Sequence, residues 1–80
     1  MLNFYHDAYV VLIRPIYLTE IDSWQVRFYI ARNAFPNPKT GKLFVFPDSF
    51  HTYSEAENRG IDLAMSVIDG ELPEYSIDDL

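Results

Sequence analysis

Cysteine is absent from this 80-residue chain, so neither a disulfide nor a zinc-thiolate cluster can staple it. Glycine is scarce, and Gly41, Gly60 and Gly70 stand too far apart to form a phosphate-cradling loop. Histidine is scarcer still. His6 and His51, even with Asp7 or Asp48 beside them, show no metal-ligand spacing. Six cations face twelve acids for a net charge of −6, which argues against a dedicated DNA binder. No apolar run is long enough to cross a bilayer. The run from Ala8 to Ile13 is preceded by Asp7 and closed by Arg14-Pro15, so it does not read as a secretory leader. A cytoplasmic protein with no cofactor and no metal is the expectation.

What the chain has in plenty is hydrophobic and aromatic residues, at 49% and 16%. That is enough to build one packed core and is not a disordered composition. A chain of this size makes one domain and buries only about 60% of its unfolded surface, so a well-filled core or oligomerisation must supply stability. We read residues 1–70 as the domain and residues 71–80 as an acidic tail, either frayed or docked on the body or a partner through Leu72, Tyr75, Ile77 and Leu80.

Charge is unevenly laid out. Between residues 14 and 47, Arg14, Arg27, Arg32, Lys39 and Lys42 outweigh Glu20 and Asp22 for a net +3. From 48 to 69, Arg59 faces Asp48, Glu55, Glu57, Asp62 and Asp69 for a net −4. Glu71, Glu74, Asp78 and Asp79 add a further −4. The strand half is mildly basic, while the helix and tail form an acidic, solvated counterpart.

The pattern predicts an α+β fold: a three-stranded antiparallel meander, about 9–18, 24–32 and 43–47, packed on one helix, about 53–69. Tyr9 to Leu18 is rich in Val, Ile and Leu. Pro15 within it suggests a sheet edge or a bend. Trp24 to Arg32 alternates cleanly: Trp24, Val26, Phe28 and Ile30 share one face, and Gln25, Arg27, Tyr29 and Ala31 the other. Residues 33–42, with Pro36, Pro38 and Gly41, read as a long hairpin loop, and Pro47 as the end of the third strand. Thr52 with Glu55 three positions on predicts a helix cap. Ala56, Gly60, Leu63, Ala64, Val67 and Ile68 make its apolar stripe. Gly60 implies close approach to the sheet, to a Trp or Phe ring. Gly70 and Pro73 mark the helix end.

One helix covers one side of such a sheet, which leaves the other side open. Arg27 and Tyr29 lie there, with Arg14 and Arg32 as neighbours, and we take these four as the candidate interaction surface. Tyr and Arg suit protein interfaces, and also stack on bases and neutralise phosphates. Tyr9 to Ile13 is apolar on both faces, unusual for an edge, so a homodimer is expected through that edge or the open face. Asp48, Ser49 and His51 offer an acid, a hydroxyl and an imidazole within four positions. Near neighbours in one loop rarely reach triad geometry, so no catalytic residue is assigned. The expected role is a non-enzymatic interaction module binding a protein partner or itself. Nucleic-acid binding is the alternative, disfavoured by net charge.

The Trp24-Gln25-Val26-Arg27 segment, Gly41-Lys42, and Phe50 with Thr52, Glu55 and Ala56 resemble the layout of AP2-type and integrase arm-binding domains. That resemblance implies a three-stranded sheet on one helix, with the open sheet face gripping DNA. The Phe46-Pro47-Asp48 stretch before a capped helix is more faintly similar to HicB-like antitoxin domains. The whole chain is similar to small uncharacterised bacterial proteins of three strands and a helix, a likeness that implies no activity.

Overall fold

Alternation in the segment Ser23–Arg32 becomes the central strand of the sheet. The computed structural model describes residues 2–33, 41–78 and 80. It is an α+β fold with a five-stranded antiparallel sheet and one C-terminal helix. In chain order the elements are β1 (Leu2–His6), β2 (Tyr9–Ile13), β3 (Ile16–Leu18), β4 (Ser23–Arg32), β5 (Lys42–Phe50) and α1 (Tyr53–Ile68). The long loop expected over 33–42 lies mostly outside the described residues.

Register fixes the arrangement. β5 pairs with β4 from Trp24 to Ile30, which occupies one edge of β4. β2 pairs with residues 28–32 of β4 and β3 with residues 23–25, so both lie along its other edge. The expected first strand is therefore one strand in two pieces, broken at Arg14-Pro15. Pro15 is buried and has no N–H to donate, so the ladder skips there. Arg14 holds the gap closed: its N–H donates to the Arg27 carbonyl at 2.9 Å.

Two further features correct the three-strand expectation. β1 pairs with all of β2, from Leu2 opposite Ile13 to His6 opposite Tyr9. The apolar edge that suggested a dimer is covered by the chain's own first residues. The third strand also continues past Pro47 to Phe50. Gln25 faces Ser49 and Arg27 faces Val45, so three residues of β5 oppose Val26 alone. β5 carries Pro47 within this irregular stretch, where a missing ladder donor does least harm.

The core lies between sheet and helix. Val11, Ile13, Val26, Phe28, Ile30, Phe44 and Phe46 meet Ala56, Leu63, Ala64 and Val67. Phe28 stacks between Phe44 and Phe46, with ring centroids 5.5 and 5.6 Å away. Gly60 does approach the sheet closely, but its neighbours are aliphatic. A Cβ there would stand 3.3 Å from Ile13 Cγ2 and 3.7 Å from Val26 Cγ1. Trp24 sits at the sheet end, 5.1 Å edge-on from Tyr53 of the helix.

Both helix ends are built as their residue types require. The Thr52 hydroxyl accepts from the Glu55 N–H at 3.2 Å and donates to the Glu55 carboxylate at 2.9 Å. At the other end Gly70 takes φ +78. Its N–H donates to Val67 and that of Glu71 to Ser66, the paired bonds of a Schellman motif.

The tail docks. Ile77 is 8% exposed and joins the core, with Leu72, Tyr75 and Leu80 packed against it. Tyr75 lies 4.5 Å from Phe46, and Lys42 donates to the Ser76 carbonyl at 2.7 Å. The tail thus covers the helix side of the sheet at β5.

Candidate open-face interaction site

Strand parity assigns the face opposite the helix. Cross-strand partners share a side, so Asn3 and Tyr5 join Val10 and Leu12, then Gln25, Arg27, Tyr29 and Ala31, then Leu43, Val45 and Ser49. Ile16 and Leu18 of β3 extend it beside Gln25 and Ser23. Leu12, Tyr29 and Leu43 form one row across three strands, and Arg27 stands beside Val45 in the next.

This face is largely apolar, and it is exposed except at the Val10 and Ala31 end, where both residues are buried. The large hydrophobic side chains with most exposure are Tyr5, Ile16, Tyr17, Ile21, Tyr29, Leu43 and Val45. Five of these seven belong to the open face. Tyr29, Leu43 and Val45, at 38%, 46% and 47% exposed, make its centre. Charge is segregated just as sharply: Asp48 is the one acid in the described strands, and Arg59 of the helix holds its carboxylate at 3.3 Å. Acids on the described residues otherwise occupy turns, helix and tail.

Of the four candidate residues, the structure brings three together. Arg14 donates to the Leu2 and Ile13 carbonyls at 3.1 and 2.8 Å and to Asn3 Oδ1 at 2.8 Å. Arg27 Nε donates to the Arg14 carbonyl at 2.9 Å. Tyr29 lies two residues along the same strand. Arg32 is elsewhere. It has the parity of Ile30, pairs with Tyr9, and donates through Nη2 to the Leu80 carbonyl at 2.8 Å. Its guanidinium carbon also lies 5.2 Å from the Tyr9 ring centroid. Arg32 fastens the tail, and the open face loses it as a contact residue.

Sequence reasoning missed Tyr5, Ile16, Leu43 and Val45. A signal for two of them was present: Leu43 and Val45 alternate with Phe44 and Phe46, so one pair had to face away from the core.

The remaining polar clusters are elsewhere. His6 Nε2 lies 2.9 Å from Asp69 Oδ1 and 3.8 Å from Asp7 Oδ2, joining β1 to the C-cap of α1. The hydrogen bond to Asp69 raises the His6 pKa above its ordinary value, with the charges of Asp69 and Asp7 adding to it against a smaller opposing desolvation. Tyr17 donates its hydroxyl to Asp22, which raises the phenol's pKa. Asp48, Ser49 and His51 do not converge. The Asp48 carboxylate turns to Arg59, Ser49 lies on the open face, and His51 is exposed after the strand ends.

Compared with known proteins, the chain matches no family model, no curated protein and no solved structure.

Proposed function

We propose that this chain is a non-enzymatic interaction module that engages a protein through the open face of its sheet. The observation that supports it most is the concentration of exposed Tyr5, Ile16, Tyr29, Leu43 and Val45 on one face. Contiguous exposed apolar area on a small soluble chain marks an interaction surface.

The face is not an unfinished core. The accessible surface of 5017 Å² is what the size scaling of compact monomers gives for 9.4 kDa, about 5,000 Å². A total area of this size supports association between bodies already folded. The molecule measures 38 × 27 × 17 Å, a slab whose broad side can supply the roughly 800 Å² per partner of a standard interface.

Photo-crosslinking tests this reading. A photoreactive residue at position 45 is expected to give a discrete protein adduct, lost on Tyr29→Ala, while one at Asn58 on the helix gives none. Equal labelling from both positions sinks the proposal. A nucleic-acid adduct whose yield collapses with salt would favour the alternative, because phosphate contacts release counterions.

A further inference from the structure

Resting on that reading, we propose that Arg27 is a carboxylate anchor, and that the open face receives an acidic, apolar polypeptide segment. The argument starts from what Arg27 does not do. Its Nε is committed to the Arg14 carbonyl at 2.9 Å, while the backbone of Arg14 donates to the Arg27 carbonyl at the same distance. This reciprocal pair fixes where the guanidinium sits. Among the described residues Nη1 and Nη2 have no hydrogen bond, and no buried side-chain nitrogen is left without a partner, so this fork reaches solvent. A guanidinium held by Nε presents the two parallel donors that a carboxylate matches in bidentate fashion.

The electrostatic setting points the same way. Among the described residues no carboxylate lies within ion-pair distance of Arg27 or Arg14, in a chain of net charge −6. Arg14 commits both Nη1 donors to two carbonyls and one Nη2 donor to Asn3, so it contributes positive potential without a free Nη fork. Among the described residues the cationic centre of the face is unneutralised, and it has apolar side chains on two sides. Val45 stands across the strand from it, about 5 Å away, and Tyr29 lies about 7 Å along β4. A ligand that fills this geometry carries Asp or Glu with a bulky apolar residue two positions on if extended. On a helix the spacing is three or four positions.

Other occupants fit less well. A second copy set face to face would offer Arg27 no free acid, since the described strands carry only Asp48, which Arg59 holds. Nucleic acid would meet two cations here and the repulsion of a −6 chain, where tight binders neutralise about 6–10 phosphates.

The test uses the whole chain as bait for a random twelve-residue peptide library displayed on phage. Enriched peptides are expected to share Asp or Glu beside an aromatic or aliphatic residue. Replacing that acid by its amide should weaken the leading peptide tenfold or more. Arg27→Gln should cause a similar loss, and the two changes together should cost little more than either alone. Arg27→Lys keeps the charge and should recover only a minor part, since the fork is gone. The peptide variant leaves the protein untouched, so the acid's effect stands even if an Arg27 variant folds poorly by circular dichroism. Peptides that need Tyr29 but neither the acid nor Arg27 overturn the anchor and leave the open face as a binding site. Peptides indifferent to Tyr29→Ala overturn both. A dimer by sedimentation that Arg27→Gln abolishes, or salt-sensitive oligonucleotide binding that Arg27→Gln abolishes, replaces the acidic segment with that occupant.

Discussion

His6 and Asp69 are separated by 63 positions in sequence and by 2.9 Å in space. The contact ties the first hairpin to the C-cap of the helix. Asp69 sits at the helix's negative end, and the last turn carries no basic residue. A protonated imidazole from β1 fills that electrostatic role.

Stability should therefore depend on His6 protonation. The folded pKa is raised above 6.5 by the Asp69 hydrogen bond. The contribution is complete below the unfolded value and fades as pH rises through the folded one. Thermal melts across about pH 6 to 8 should show wild type losing its advantage over His6→Gln as pH rises. An unchanged difference across that window would refute the clasp.

Gly60→Val should destabilise the fold by about 1–3 kcal/mol, read by urea unfolding. The new side chain meets Ile13 and Val26, both fully buried. Ala at the same place gains about 1 kcal/mol of helix propensity against a tight 3.3 Å contact, so its effect should be much smaller.

Ile77→Ala should cost about 2 kcal/mol by the same measurement, since it empties a site 8% exposed in the core cluster that includes Phe44 and Phe46. Peptide binding at the open face should not change, because the described tail lies on the other side of the sheet. A tail that masks the basic face would instead give tighter binding once loosened.

Thr52→Ala should cost about 1 kcal/mol, because the Glu55 N–H loses its acceptor and the carboxylate its hydroxyl donor. The amide of Glu55 should then exchange faster with solvent, which hydrogen-exchange measurements would show.

The β4 alternation, the Thr52 cap, the helix and its Gly70 terminus were legible because each is a local pattern with one physical solution. β1 was not. Its turn at Asp7 and Ala8 has no Gly or Asn, and is made by Asp7 at φ 54, a conformation Asp tolerates without advertising it. The docked tail was half legible: Leu72, Tyr75 and Ile77 stand out among its acids, but no local pattern decides between a docked and a frayed segment. Pro47 looked like a strand end because sequence alone does not show that three residues of β5 bulge opposite Val26. Arg32 was the avoidable miss: counting parity from Ile30 places it with the core side.

The docking of Ile77 and Tyr75 has a bearing on biosynthesis. A ribosome extrudes the sheet and helix first, and Tyr75, which packs on Phe44 and Phe46, emerges after them. Completion must wait until residue 77 clears the exit tunnel, and until then those rings are a natural foothold for a chaperone.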